Sequence, residues 1–186
     1  MQKILLFFTF NTSLIDWKNS GILDRELNYY DKLSKSKKVN ITFFTYGDEK
    51  DLDTISRLDT NIEIITLFKK KRIKNSIIVF LRSLFFIKLN KKLFKKFDIY
   101  KSNQNLGSWL PVICKLIYKK KLISRGGYDL FHFSIKKKNP LKIIISYIIC
   151  FFVYRNSNII FIPTEFYKRF IIKFFFIKEK KIAILP

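Results

Sequence analysis

At 186 residues, 48% hydrophobic and 17% aromatic, the chain suits one compact domain with a buried core, is too short for two, and is not mainly disordered. Thirty-seven Lys plus Arg against fourteen Asp plus Glu give a net charge of +23, which favours an anionic partner: nucleic acid, an acidic membrane or a phosphorylated substrate. Coding bias is the competing source of that charge, because Lys, Ile, Phe and Asn crowd the sequence and Ala183 is its only alanine.

The apolar run Ile4 to Phe10 predicts a first strand over 3–10 and is too short for the core of a secretory signal, so a cytoplasmic protein is expected. A polar loop ends in Asn19-Ser20-Gly21. Ser20 reads as the N-cap of a helix over 22–33, with Asp24 and Glu26 at its positive end and Leu23, Leu27, Tyr30 and Leu33 toward the sheet. Strands follow over 39–46, ending at Tyr46-Gly47, and 62–68. From Phe68 to Phe97 there are eleven basic residues and no acidic one. The helix predicted over 75–97 reads either as a membrane-surface element drawn to anionic headgroups or as a core helix with solvated lysines.

Further strands are predicted over 98–101, 121–124, 159–162 and 181–185, and helices over 108–118, 140–154 and 165–175. The apolar stretch 143–154 is below the roughly 20 residues needed to span a bilayer; apolar on all sides, its helix is expected to be buried. Lys119–Lys121 and Lys136–Lys138 read as solvated loop ends. Cys114 and Cys150 lie in apolar surroundings without metal-ligand spacing and read as buried hydrophobes in a reducing compartment. Strands apolar throughout, alternating with helices, predict a doubly wound, mainly parallel Rossmann-like α/β domain with helices on both faces.

Ligands of such sheets bind beyond the carboxyl ends of the strands. The polar signals fall there: Ser20-Gly21, Tyr46-Gly47, Asn103-Gln104 after Lys101-Ser102, Arg125-Gly126-Gly127-Tyr128, and Thr164-Glu165. Backbone N–H groups around Gly21 would hold a phosphate oxygen, Arg125 a phosphate or carboxylate, and Asn103 and Gln104 sugar hydroxyls. Neither GxGxxG nor GxxxxGK[ST] occurs. His132, the only histidine, is read as structural or exposed.

Trp17-Lys18-Asn19-Ser20-Gly21-Ile22-Leu23-Asp24-Arg25-Glu26, then Tyr46-Gly47-Asp48, Asn103-Gln104 with Gly107 and Trp109, Arg125-Gly126-Gly127-Tyr128, Ile162-Pro163-Thr164-Glu165 and Ile182-Ala183-Ile184-Leu185-Pro186 resemble, in order, the N-terminal domain of family 4 retaining glycosyltransferases. The usual double glycine of the first loop is Ser20-Gly21 here. The resemblance implies a GT-B architecture of two Rossmann-like domains. Residues 1–186 would be the acceptor side, and the donor domain, with its basic pair and Glu-x7-Glu element, is missing from the chain or separately encoded. Gly21 would lie near the donor diphosphate, and Asn103, Gln104, Arg125 and Tyr128 would line the acceptor side. Gly127, Thr164 and Glu165 complete the expected substrate-binding set, without an assigned catalytic residue.

The expected function is the acceptor-binding half of an enzyme moving sugar from a nucleotide-sugar donor to a cell-surface glycan or lipid-linked precursor. It would need no other cofactor or metal and would work in the cytoplasm, at the inner face of the membrane through 76–97. This half alone is expected to be inactive. The alternatives are a basic non-catalytic module binding nucleic acid or protein, and a truncated remnant; nucleic acid is disfavoured because no recognition motif accompanies the charge.

Overall fold

A computed structural model describes residues 1–127 and 130–185. Its strands are β1 (Gln2–Phe7), β2 (Val39–Thr45), β3 (Glu63–Thr66), β4 (Ile99–Ser102), β5 (Lys121–Arg125), β6 (Ile159–Ile162) and β7 (Ile182–Ile184). All seven pair parallel in one sheet, in the order β3-β2-β1-β4-β5-β6-β7. Every predicted strand is present, and the order is that of a doubly wound Rossmann-like domain.

The helices are α1 (Leu14–Asn19), α2 (Leu23–Lys37), α3 (Glu49–Ser56), α4 (Ser76–Leu89), α5 (Lys91–Lys95), α6 (Trp109–Tyr118), α7 (Leu130–Lys136), α8 (Pro140–Asn156) and α9 (Glu165–Phe175). Right-handed crossovers put helices on opposite faces when the strand order runs outward from β1 in opposite directions. So α1, α2 and α3 cover one face, and α4, α5, α6, α8 and α9 the other.

Side chains alternate across β1 to feed both layers. Phe8 stacks on Trp17, with ring centroids 3.8 Å apart, and meets Phe43 at 5.3 Å. Phe7 meets Phe44 at 5.3 Å and Phe94 at 6.3 Å. These residues are buried, which explains strands without a polar face.

Three local readings are corrected. The predicted helix 75–97 is two helices, because the Asn90 side-chain amide donates to the Phe86 carbonyl at 2.9 Å and closes α4. The loops after β1, β2 and β5 carry α1, α3 and α7, which at six, eight and seven residues are too short for a helical period to show. The helix over 140–154 is buried only along Ser146, Cys150, Val153 and Tyr154, while Leu141, Ile144, Ile145 and Ile148 are exposed. Cys114 and Cys150 are both buried.

Candidate functional site: a cleft at the switch point

The strand order reverses between β1 and β4, and a crevice opens beyond their carboxyl ends, as in other doubly wound sheets. Its floor is backbone tied to backbone: the Asn103 N–H donates to the Phe7 carbonyl at 2.9 Å and the Phe10 N–H to the Leu106 carbonyl at 3.0 Å. Gly107 makes the second approach possible. Its φ is +97°, and a Cβ there would lie 2.7 Å from the Phe10 nitrogen. Above this floor is a cavity of about 790 Å³, lined by Thr9, Thr12, Asp16, Trp17 and Ser20 after β1, Glu26 of α2, Asn103, Gln104 and Leu106 after β4, and Arg125 at the end of β5.

The β1 wall is held from distant parts of the chain. Asp51 of α3 is buried, and its carboxylate accepts from the Leu14 N–H at 3.0 Å, the Ile15 N–H at 3.2 Å and the Thr45 hydroxyl at 2.6 Å. It thereby caps α1. Burial pushes the Asp51 carboxyl above its ordinary value against the pull of those bonds. Gly47 leaves the room: a Cβ there would fall 1.9 Å from the Asp51 Oδ2. Arg72, after β3, donates to the Ser13 hydroxyl at 2.8 Å, to the Asp16 carboxylate and to the Asn11 carbonyl. Burial raises the Asp16 carboxyl, but its hydrogen bonds from Ser13 and Arg72 prevail and hold it below the usual value.

At Ser20 and Gly21 the structure departs from the sequence reading. Ser20 is the C-cap of α1, not the N-cap of α2, and its hydroxyl donates to the Trp17 carbonyl at 3.1 Å. The Gly21 N–H donates to the Lys18 carbonyl at 3.1 Å and the Ile22 N–H to the Trp17 carbonyl at 3.0 Å, with Gly21 at φ +69°. This is a Schellman turn, which wants glycine at that position. The amides around Gly21 are therefore engaged inside the turn rather than open to a phosphate. Gly21 lines a smaller cavity with Lys18, Asp24 and Arg57.

The opposite side carries the chemistry. Asn103 is 7% exposed and its Oδ1 lacks a hydrogen-bond partner among the described residues, a state buried polar atoms rarely keep. Its amide lies 3.5 Å from the Thr9 hydroxyl. Arg125 pairs with buried Glu26 at 3.3 Å, and exposed Arg25 pairs with the same carboxylate at 3.2 Å. Behind them the partly buried Lys101 ammonium donates to the Tyr30 hydroxyl at 2.6 Å. Burial drives Lys101 down to about 7, Arg125 reinforces the shift and Glu26 opposes it. The arrangement offers neutral amide and hydroxyl groups beside a compact cationic corner.

Of the predicted residues, Ser20, Asn103, Gln104 and Arg125 line the one cleft. Gly127 borders it, since a Cβ there would come within 3.1 Å of the Gln104 amide. Tyr128 lies outside the described residues. Thr164 caps α9, accepting from the Tyr167 N–H at 3.4 Å, and Glu165 pairs with Lys168 at 3.6 Å; neither lines the cleft. His132 sits in an aromatic nest with Phe133, Phe166 and Phe170, its Nδ1 3.2 Å from the Tyr167 hydroxyl. Sequence reasoning missed Thr9, Thr12 and Asp16, and it took Glu26 only for a helix-dipole residue. The pairing of Glu26 with Arg125, 99 positions away, is a tertiary fact.

No family model matches the sequence, and no curated protein does. Solved structures do match the fold. HepE of Anabaena, solved with UDP and glucose, superposes with TM-score 0.57 at 12% identity, over 100% of this chain and 44% of that one. The sheet matches one half of a GT-B glycosyltransferase. WaaB, a lipopolysaccharide outer core galactosyltransferase, gives 0.56 at 12% identity over 98% and 44% of the two chains. A putative UDP-N-acetylglucosamine 2-epimerase from Listeria monocytogenes gives 0.57 at 12%, over 97% and 44%. The chain thus spans less than half the length of each, and at such identities the likeness is one of fold.

Proposed function

We propose that the chain is the acceptor-side half of a retaining, family 4-like glycosyltransferase, and that it works with a second Rossmann-like half that holds the nucleotide sugar. The acceptor is a cell-surface glycan or its lipid-linked precursor. The observation that carries this reading is the unpartnered Asn103 Oδ1 in a switch-point cleft. A sugar hydroxyl satisfies it by donating, and accepts in turn from the neighbouring amide and hydroxyl donors. Arg125, poised on Glu26, suits an anionic group on the acceptor or the departing diphosphate. Gly127, Tyr128, Thr164 and Glu165 remain proposed contacts of the fully assembled site.

The test is a glycan array probed with residues 1–186, repeated with Asn103→Ala and Arg125→Ala. Binding to at least one sugar that falls about tenfold or more in both variants is expected, on the scale of a lost hydrogen bond to a charged or buried group. Sugar binding untouched by both substitutions would overturn the assignment of the cleft. The same protein should not consume UDP-glucose by itself, and turnover by the unassisted chain would overturn the two-half reading.

A further inference from the structure

Across the sheet from α1–α3, the outer helices α4 and α8 carry apolar ridges that no described part of the chain covers. On α4, Ile77, Leu81, Phe85 and Leu89 recur every fourth residue, with Ile77 71%, Phe85 60% and Leu89 80% exposed. On α8, Leu141, Ile144 and Ile148 are 67%, 58% and 59% exposed. The two helices flank α6. Between them lies an open trough of about 510 Å³ walled by Ile77 and Phe80, Trp109 and Ile113, and Ile149. Phe10 closes its end, with its ring 5.1 Å from Trp109. Phe10 also belongs to the loop that floors the sugar cleft, so trough and cleft share a wall.

We infer that α4 and α8 together form one docking face for an anionic lipid bilayer, with the trough receiving an acyl chain. Charge complementarity selects this occupant. Helices α4, α5, α6 and α8 contain no acidic residue, whereas Arg82, Lys88, Lys91, Lys92, Lys95, Lys96, Lys142 and Arg155 punctuate the apolar ridges or extend them. Isolated ridges of Ile, Leu and Phe fringed by long basic side chains match the boundary between acyl chains and phosphate headgroups. A second copy of this chain would bring another +23 against the same face.

The helices lie on the bilayer rather than across it. At 14 and 17 residues they extend about 21 and 26 Å, short of the roughly 30 Å hydrocarbon core. No helix among the described residues is long and apolar enough to cross a membrane. The sequence placed membrane contact in 76–97 alone. The exposed ridge of α8 adds a second apolar line to that face.

Flotation of the 186-residue chain with phosphatidylcholine vesicles, and with vesicles containing 30% phosphatidylglycerol, tests the inference. The chain is expected to float with the anionic vesicles only. The double variant Ile144→Ser, Ile148→Ser keeps every lysine and the whole of α4, and should lower that partition about tenfold or more, as loss of two inserted aliphatic side chains predicts. A wild type indifferent to anionic vesicles, or a variant that binds them as before, overturns the docking face. Should the double variant misfold, Ile148→Cys carrying an environment-sensitive dye decides. Its emission should shift to the blue on anionic vesicles while a label at Asp53→Cys, on α3 in the opposite layer, stays unchanged; equal responses overturn the proposal. A dimer in sedimentation that the α8 substitutions dissolve would assign the ridge to a second copy instead. None of these readouts involves sugar, so the result is independent of the cleft's chemistry.

Discussion

The two walls of the switch-point cleft are built in opposite ways. The β1 wall, residues 8–22, is fastened by side chains from far along the sequence: Asp51 caps α1, Arg72 ties Asn11, Ser13 and Asp16 together, and a Schellman turn closes the helix. The β4–β5 wall is fastened as well, Asn105 donating to the Tyr154 hydroxyl at 2.6 Å and the Arg125 N–H to the Ser102 hydroxyl at 3.2 Å, but not at every polar group that faces the cleft. Asn103 keeps an unmatched oxygen, and Arg125 meets Glu26 at 3.3 Å with about a third of its side chain exposed. One wall uses its polar groups to hold a shape. The other leaves the Asn103 Oδ1 for something that is not protein. Buried polar groups that are fully paired rigidify, while unmatched ones invite a ligand.

That contrast can be broken by substitution, because the two walls should fail in different assays. Asp51→Ala leaves two helix N–H groups and a hydroxyl without their acceptor. It should reduce stability by about 3 kcal/mol in urea denaturation; a loss below about 1 kcal/mol would mean the β1 wall is not held from α3. Arg72→Lys keeps the charge but not the fork that reaches three partners, so about 2 kcal/mol should still be lost. Gly47→Ala should resemble a mild Asp51 variant, since the new methyl displaces the carboxylate it faces.

Lys101 sharpens the comparison through pH. Its value in the folded chain, about 7, lies below the 10.5 of an unperturbed lysine. Between pH 7 and 10.5 the unfolded chain therefore binds more protons, and stability due to this group rises with pH across that window. Comparing denaturation midpoints at pH 7 and pH 9, the wild type should gain about 1 kcal/mol relative to Lys101→Met, a figure reduced for partial solvation. An identical pH response in both proteins would place the ammonium in water. The smallest stability effect is expected at Arg125→Ala, below about 1 kcal/mol for a partly exposed ion pair, although this variant should lose sugar binding.

Much of the fold was legible because its strands are continuous apolar runs: a stretch such as Ile159–Ile162 has no polar face to mislead a reader. Helix α9 was legible from Glu165 to Phe175, although Thr164, read as a ligand contact, is its N-cap. The helices that escaped, α1, α3 and α7, are short, and Asp51 inside α3 owes its burial to partners 36 and 37 positions away. In the cleft, amides and the arginine at strand ends were readable from position alone. The Ser20-Gly21 dipeptide misled because the same two residues that open a helix can end one, and only the preceding α1 distinguishes the cases. The exposed ridge of α8 was unreadable for a related reason: an all-apolar helix does not reveal which of its faces the fold leaves uncovered.

The position of β1 has a consequence for how the chain is made. This first strand is central, and it pairs with β2 on one side and, through Ile4 to Phe7, with Ile99 to Ser102 of β4 on the other. One edge of the strand must therefore wait for nearly a hundred more residues before its hydrogen bonds can close. Parallel pairing across such separations is slow to form and leaves apolar edges open in the meantime. On the ribosome, β1 is expected to remain open along one edge until β4 has emerged, so a strand at the centre of the sheet is made well before it can be completed.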